Sequence, residues 1–275
     1  MASYAAVADM RSVIFIPEGK IAYGKLAQAL AFGGKTLQIR GNFDDAMELV
    51  QEVCRTLNIY LLNSINPFRI EGQKAIGFEV LQQLDWQVPD WFVIPGGNLG
   101  NNSALSKGLQ ELYELGIIDK IPRIAVIQAA GSAPIVLGHP VDHPQTFATD
   151  IRIGNPASWE TAVQARDESG GLIDMVTDDE IRAAYQQIAS TEGIFAEPAS
   201  CATIAGLVKL SQRGYFDDKT PLVGDRLRVV CILTGHGLKD PDSAIKSAEQ
   251  PVTIEAREDA VLEALDLEQP VGAGA

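Results

Sequence analysis

The strongest constraint on the fold is an alternation of short apolar runs with longer amphipathic segments along the 275-residue chain. The short runs are rich in β-branched residues, which is typical of buried strands. Strands separated by helices favour an α/β protein with a parallel sheet that carries helices on both faces. The runs that predict strands are SVIFIP (12–17), KTLQIRG (35–41), IYLLNS (59–64), WFVIP (91–95), RIAVIQAA (123–130) and RVVCILTG (228–235).

The longer segments show helical periodicity. Segment 69–84 places Ile76, Val80 and Leu84 on one face. Two helix starts carry capping signatures: Asn42 stands before an acidic first turn, and Thr177 and Glu180 have capping-box spacing. Helices are predicted over 19–33, 42–58, 69–84, 176–190 and 255–268, and from about Asn102 or Ser103 onward.

The charge balance excludes some classes of partner. Lys and Arg total 22 against 36 Asp and Glu, which gives a net charge of −14. This balance repels nucleic acid and anionic membrane surfaces, so an anionic substrate needs a local positive site. No apolar run reaches spanning length, and the first twenty residues lack a secretory pattern. We therefore expect a cytoplasmic protein without nucleic-acid or membrane partners.

Cysteine and histidine usage argues against a metal site. The three cysteines, Cys54, Cys201 and Cys231, are widely spaced in apolar surroundings and form neither a zinc pattern nor a CxxC pair. His139 and His143 lie in GHPVDHP, where the prolines indicate a loop. We expect reduced thiols and no bound metal.

The stretch WFVIPGGNLGNNSALSKGL (91–109) passes from a strand through a turn into a helical pattern. Its glycines allow positive φ and close backbone approach, and the helix that follows adds its positive N-terminal end. It is neither a P-loop nor GxGxxG. The turn is predicted to bind phosphate; the alternative is a connection that only reverses the chain. Its residues are Gly96, Gly97, Asn98, Leu99, Gly100 and Asn101.

Three further motifs lie near predicted strand ends or helix starts. In LLNSINPFRIEGQ, Arg69 follows polar residues and can form a fork on a carboxylate or phosphate; the alternative is a capped turn with a surface arginine. In CILTGHGLKDP, Thr234 directly follows a strand, so its hydroxyl either points into the sheet-edge crevice or caps the turn. In GIFAEPASCATIAGL, Glu197 precedes a helix start near Ser200 and either caps it or faces a ligand. The polar residues before Arg69 are Asn63, Ser64 and Asn66.

In this order and spacing, NSINPFRIEGQK, PGGNLGN, EPASCATIAGL and LTGHGLKDP resemble the threonine synthase family. That family belongs to the pyridoxal-phosphate enzymes of fold type II, which have the tryptophan-synthase-β fold. RSVIFIPEGKIAYGKLAQAL and GNFDDAMELV extend the resemblance, which runs from about residue 4 to about residue 250.

The resemblance implies roles for the matched positions. The turn from Gly97 to Asn101 would hold the 5′-phosphate of pyridoxal phosphate through backbone N–H groups, with Gly96 and Glu197 also in the cofactor site. Thr234 would hydrogen-bond the pyridine nitrogen, where a hydroxyl does not favour a protonated ring. The phosphate of O-phospho-L-homoserine would be bound by Asn63, Ser64 and Arg69. The implied reaction converts O-phospho-L-homoserine and water to L-threonine and phosphate.

The chain also departs from the family. Members carry a Schiff-base lysine and a Ser/Thr-Gly-Asn loop upstream of the matched region, and this sequence has neither; Lys20, Lys25 and Lys74 match other family positions. We therefore expect an N-terminally truncated chain without a catalytic lysine. Alternatives are another fold type II enzyme such as threonine dehydratase or cysteine synthase, a non-catalytic remnant or partner subunit, and a nucleotide-binding protein.

The resemblance also predicts the domain organisation. Residues 1–58 would be the remainder of a small, mobile α/β domain, 59–250 a large cofactor-binding domain, and 251–275 a C-terminal helix and tail. Members of this fold commonly form homodimers.

Overall fold

The structure is a computed structural model that describes residues 1–18, 23–40, 43–217, 219–221, 224–247 and 251–266. The chain divides into two compact units, Met1–Pro241 and Asp242–Ala275. The first unit contains two parallel sheets and most of the helices.

The strands of the described residues all pair in parallel, which confirms the α/β prediction. Segment 172–176 forms a strand that the sequence did not predict, and the last predicted strand is much shorter than 228–235. The strands are β1 (Val13–Pro17), β2 (Lys35–Ile39), β3 (Trp91–Pro95), β4 (Arg123–Ala129), β5 (Leu172–Val176) and β6 (Val229–Cys231).

The capping box at Thr177 is confirmed, because the Glu180 N–H donates to Thr177 Oγ1 at 3.2 Å and the Thr177 N–H to Glu180 Oε2 at 2.6 Å. Asn42 lies outside the described residues. Within the described ranges no helix has the length and apolar character needed to cross a membrane. The helices are α1 (Ala2–Val7), α2 (Tyr23–Ala31), α3 (Phe43–Thr56), α4 (Pro67–Gln73), α5 (Ala75–Gln83), α6 (Gly100–Glu114), α7 (Pro134–Leu137), α8 (Trp159–Ser169), α9 (Asp178–Glu192), α10 (Pro198–Gln212), α11 (Pro241–Ser247) and α12 (Glu258–Ala264).

The strand order reverses at β3 in the larger sheet. β1 and β2 form a separate pair, whereas the other strands lie in the order β5-β4-β3-β6. The chain moves from β3 outward through β4 to β5 and then returns to place β6 on the other side of β3. Crevices at the carboxyl ends of strands form where the strand order reverses in this way.

Helices cover both faces of the four-stranded sheet, as predicted. On one face, Phe92 and Ile94 of β3 belong to a buried apolar cluster with Leu105 and Leu109 of α6. On the other face α10 approaches so closely that a Cβ on Gly206 would overlap the side chain of Ile127. Both faces of β3 and β4 are therefore buried, as their continuous apolar sequences require.

The strand predicted over 59–64 is wrong. Within the described residues this segment pairs with no strand, and Tyr60 is 63% exposed. Its backbone groups bind elsewhere: the Ile59 N–H donates to the carbonyl of Cys54 at 3.0 Å, and Asn66 Nδ2 donates to the carbonyl of Leu61 at 2.5 Å. Residues that favour strands form one only when a neighbouring strand supplies the hydrogen bonds.

The single helix predicted over 69–84 is two helices, α4 and α5, which meet at Lys74. Helix α6 causes the close packing there, because a Cβ on Gly108 would lie 2.6 Å from the Lys74 carbonyl oxygen. The first of the two helices begins at Pro67, two residues before the predicted start, with Asn66 as its N-cap.

We predict opposite effects for two glycine-to-alanine changes in helices. Gly206→Ala is expected to destabilise the fold by roughly 1–3 kcal/mol, because the added methyl overlaps Ile127. Gly72→Ala is the control, because a Cβ at that position meets no atom within 4 Å. Alanine lowers the backbone entropy of the unfolded chain, so this variant should be more stable than the parent protein by about 0.5–1 kcal/mol. Urea unfolding of both variants measures the difference, and equal stability of Gly206→Ala and the parent protein would contradict the packing described.

Candidate functional site

A cavity of about 390 Å³ lies where β3 and β6 end and brings together residues from all four motifs. Gly96 and Asn63, which the sequence also proposed as site residues, do not line it. The proposed residues that line it are Ser64, Arg69, Gly97, Asn98, Leu99, Gly100, Asn101, Glu197 and Thr234. Lining residues that the sequence did not single out include Ile70, Gln73, Asp150, Ile151, Ala199 and Lys239.

A second depression, of about 510 Å³, lies along α8 and is lined by residues 159–168 of that helix. Its walls come from one helix and contain none of the motifs. The larger volume therefore does not identify it as the functional site, and the smaller cavity is the better candidate because separate elements converge on it.

The backbone of the turn corrects one expectation. Among residues 96–101, only Leu99 has a positive φ, at 65°. The glycines serve close approach instead: a Cβ on Gly96 would lie 2.7 Å from Val126 Cγ1, and one on Gly97 would lie 3.0 Å from the Asp150 carbonyl oxygen. Glycine is thus required at 96 and 97 because strand β4 and the 150–151 segment press against the turn.

The turn presents free backbone donors to the cavity. Helix α6 begins at Gly100, two or three residues earlier than predicted, and Leu99 makes no side-chain cap. In the part of the chain that the structure describes, no protein acceptor receives a hydrogen bond from the N–H of Gly97, Gly100 or Asn101. Unpaired N–H groups at the positive end of a helix bind anions. The turn is therefore suited to a phosphate.

Two neighbouring groups fix this turn in place. The Gly96 N–H donates to the carbonyl of Ile127 at 2.7 Å, which extends the β3–β4 ladder by one bond. On the far side, the Ala157 N–H donates to Asn98 Oδ1 at 2.7 Å. Gly96 and the side chain of Asn98 thus position the turn.

Thr234 is held by the first turn of α10. Its hydroxyl oxygen lies 3.1 Å from that of Ser200, which is fully buried and accepts a hydrogen bond from the Gly235 N–H at 2.8 Å. The same Ser200 oxygen lies 3.3 Å from the Gly235 carbonyl oxygen. One serine hydroxyl therefore fixes both the side chain of Thr234 and the backbone that follows it.

Glu197 is the N-cap residue of α10 and is only 4% exposed, although it lines the cavity. Its N–H donates to the Gly235 carbonyl at 2.9 Å, and a Cβ on Gly235 would overlap its carboxylate.

Burial, together with the Glu197 charge, raises the pKa of Cys201 to about 12. Cys201 is therefore a neutral thiol at physiological pH and not a nucleophile.

The motif around Arg69 has two parts. Asn66 caps α4 by accepting a hydrogen bond from the Phe68 N–H at 2.9 Å, and Asn63 Oδ1 accepts one from the Ile65 N–H at 3.1 Å. These two asparagines shape the turn, whereas Ser64 and Arg69 line the cavity. Among the described residues, the Arg69 guanidinium has no ion pair or hydrogen bond.

The lysines differ in their surroundings. Lys74 lies 2.7 Å from Glu111 and 2.8 Å from Glu71, and hydrogen bonds to Glu111 and then Glu71 raise its pKa. Lys20 and the side chain of Lys25 lie outside the described part. In the described part of the cavity wall, the lysine present is Lys239. It belongs to LTGHGLKDP, so the motif itself contained the signal that the sequence interpretation missed.

Acidic and sulfur ligands do not gather at this site. Within the described ranges, no group of three or more His, Cys, Asp or Glu side chains is placed to hold a metal ion. His236 instead caps the short 3-10 helix Gly237–Lys239, where its Nδ1 accepts a hydrogen bond from the Leu238 N–H at 3.2 Å.

Three features agree with the family that the chain matches: the parallel sheet, the cavity where its strand order reverses, and the glycine-rich turn with unpaired N–H groups among the described residues. Residues 1–235 match the family model described as pyridoxal-phosphate dependent enzyme. The chain belongs to this family. The cofactor of the family is pyridoxal phosphate, and the free N–H groups of the turn fit the phosphate of that cofactor.

Within the family, the similar curated proteins include threonine synthases. The chain is 49% identical over 263 residues to threonine synthase of Methanocaldococcus jannaschii, covering 93% of this chain and 63% of the relative. It is 50% identical over 273 residues to that of Methanosarcina acetivorans, covering 96% and 66%. For threonine synthase of Mycobacterium tuberculosis the figures are 49% over 267 residues, 97% and 72%. The chain thus spans about two thirds of the length of these relatives.

Solved structures show the same fold at low identity. O-ureido-L-serine synthase superposes with a TM-score of 0.72 at 16% identity, covering 95% of this chain and 75% of that chain. Maize serine racemase gives 0.71 at 18% identity, covering 90% and 71%. These neighbours confirm the predicted fold type II architecture and, at this identity, carry no argument about activity.

We predict that Ser200→Ala weakens the connection between α10 and the 234–235 segment. Removing the hydroxyl leaves the buried Gly235 N–H without its acceptor, so we expect a loss of about 1–3 kcal/mol and faster hydrogen exchange at the Gly235 amide. Ser190→Ala is the matched control, because its hydroxyl donates to the Gln187 carbonyl on the exposed face of α9. Unchanged exchange at Gly235 in Ser200→Ala would contradict this role.

Proposed function

We propose that the cavity binds pyridoxal phosphate and O-phospho-L-homoserine, and that the protein takes part in the conversion of O-phospho-L-homoserine and water to L-threonine and phosphate. The observation that carries the proposal is the presence of two separate anion-binding groups in one cavity. One is the turn at Gly97–Asn101 with its N–H donors and the other is the guanidinium of Arg69, both without a partner among the described residues. A cofactor phosphate and a substrate phosphate require two such groups.

The residues at the far end of the cavity suit the cofactor ring. When bound, pyridoxal phosphate supplies an electron sink for charge that develops on the carbons of an amino-acid substrate. Thr234 would donate a hydrogen bond to the pyridine nitrogen, with its hydroxyl held in orientation by Ser200. A hydroxyl there leaves the ring nitrogen unprotonated, whereas a carboxylate would favour its protonation.

The substrate would enter on the side formed by α4. Arg69 can form two parallel hydrogen bonds to a phosphate, and Ser64 adds a hydroxyl donor beside it. We propose that Asn63 contributes by shaping the loop that carries Ser64, since its side chain accepts a hydrogen bond from the Ile65 N–H. This side chain set recognises the phosphate that leaves during the reaction.

The same proposal includes the organisation and setting of the protein. We propose a small mobile domain over residues 1–58, supported by the separate β1–β2 sheet, and a large cofactor domain over 59–250 with a tail after it. Free thiols at Cys54, Cys201 and Cys231 support a reducing, cytoplasmic setting. A homodimer is proposed from the family resemblance alone.

We predict that Arg69→Met weakens only one of the two anion-binding groups. The binding of O-phospho-L-homoserine should weaken roughly ten- to a hundredfold, because a charge-assisted fork to phosphate is lost. The affinity for pyridoxal phosphate should stay within about twofold, since that phosphate is assigned to the turn. Calorimetric titration with each compound measures both affinities. Arg257→Met, which removes an exposed arginine paired with Asp259, is the charge-matched control.

L-homoserine, which lacks the phosphate, completes the binding experiment. It should bind the parent protein and Arg69→Met equally. A parallel loss of pyridoxal phosphate binding in Arg69→Met would contradict the division into two phosphate sites, and no binding of pyridoxal phosphate by the parent protein would overturn the proposed cofactor role.

Turnover can be tested by fusing the chain to the upstream segment of the Mycobacterium tuberculosis relative, which the resemblance expects to carry the Schiff-base lysine. The fusion should release phosphate and form L-threonine from O-phospho-L-homoserine, and Arg69→Met in the same fusion should lower kcat/KM roughly ten- to a hundredfold. A fusion that binds both compounds and still forms no threonine would count against the proposed reaction.

A further inference from the structure

Lys239 is a second cation in the cavity wall, and neither the motif interpretation nor the family match gives it a role. It ends the short 3-10 helix Gly237–Lys239, and its side chain is half-buried where it lines the cavity. Within the described residues, the Lys239 ammonium makes no ion pair and no hydrogen bond. An unpaired ammonium in a partly closed cavity is available to a ligand.

The backbone around Lys239 is fixed on both sides. Before it, His236 forms an isolated β-bridge with Ala196, and Gly237 packs so closely on the Phe195 ring that a Cβ there would overlap it. After it, the buried Asp240 lies 3.4 Å from the hydroxyl of Thr149. The backbone that carries the Lys239 side chain is therefore held in place by the fold, as a ligand-binding residue requires.

The charge balance of the cavity calls for this cation. Among the described residues, the charged groups that line it are Arg69 and Lys239 against Asp150 and Glu197, and their formal charges sum to zero before any helix contribution. Two phosphate monoesters, each close to doubly negative at neutral pH, would enter this cavity in a chain of net charge −14. Arg69 can serve one of the phosphates, and Lys239 can add a positive charge at the other, which the turn binds through neutral N–H groups.

Packing contacts around the turn indicate which of the two phosphates Lys239 serves. A Cβ on Gly97 would lie 3.0 Å from the Asp150 carbonyl oxygen, so the 149–151 segment packs directly on the turn. The same segment is joined to the Lys239 loop through the Thr149–Asp240 contact. Arg69, in contrast, lies on α4, whose Ile70 faces Gly100 at the other end of the turn.

On this basis, and resting on the proposed function, we propose that Lys239 binds the phosphate monoester held at the Gly97–Asn101 turn, adding a charge to a site otherwise built from backbone N–H groups. The chemistry that it recognises is a phosphate monoester dianion, either of pyridoxal phosphate or of the substrate. Our assignment is to the pyridoxal phosphate at the turn.

The test compares Lys239→Met with Lys239→Arg in the full chain, using calorimetric titration with pyridoxal phosphate, pyridoxal, inorganic phosphate and O-phospho-L-homoserine. Lys239→Met should bind pyridoxal phosphate and inorganic phosphate roughly ten- to a hundredfold more weakly and bind pyridoxal equally well. Lys239→Arg should keep most of the affinity, and the loss should shrink at high salt because the interaction is ionic. Lys35→Met, an exposed lysine on β2, is the charge-matched control. Thermal unfolding verifies that each variant is folded.

Three results would overturn the assignment. One is unchanged affinity of Lys239→Met for pyridoxal phosphate and inorganic phosphate. Another is an equal loss for pyridoxal, which would indicate general damage to the cavity. The third is a loss confined to O-phospho-L-homoserine, which would assign Lys239 to the substrate phosphate. If the parent protein binds inorganic phosphate as tightly as it binds pyridoxal phosphate, the proposed cofactor role fails. The role of Lys239 is then still tested by whether Lys239→Met weakens the binding of inorganic phosphate.

Discussion

The parallel pairing of β3 with β4 on one side and β6 on the other is the constraint on which the rest of the structure depends. β3 is buried along its whole length, and its register places Val93 beside Cys231 and Pro95 beside Ile127. Because the strands are parallel, the connections that follow β3 and β6 leave the sheet at the same edge. The glycine turn ends at Asn101 and Thr234 comes 133 residues later (234 − 101), yet the two share a cavity for this reason.

The electrostatic design of the cavity works against the charge of the whole molecule. A chain of net charge −14 repels anions at long range, yet the proposed ligands carry two phosphates. Local features offset this: unpaired N–H groups at the start of α6, the guanidinium of Arg69 and the ammonium of Lys239. Charges in a partly closed cavity are screened less than surface charges, so a few local donors can outweigh the distant field.

The sequence showed which segments form the cavity better than it showed the backbone conformation of those segments. Glycines at 96, 97 and 100 indicated a special backbone, but the left-handed residue is Leu99. Glycine is required at 96 and 97 because β4 and the 150–151 segment lie close, whereas a Cβ on Gly100 would make only ordinary contacts. The apolar run at 59–64 had strand composition, yet a strand depends on a partner that composition does not reveal. The helical pattern over 69–84 did not show the break at Lys74, which coincides with the close approach of Gly108 from α6.

What the sequence determined by itself is local: the strand and helix periods, the capping box at Thr177, the glycine-rich turn after β3 and the family resemblance carried by four short motifs. Only the tertiary structure decided which of these meet. It placed β6 next to β3, tied Thr234 to Ser200 of α10, left Gly96 and Asn63 outside the cavity wall and brought Lys239 into it. The reason is physical: periodicity and turn chemistry act over a few residues, whereas strand order and the packing of α6 and α10 arise from burial shared across the whole sheet.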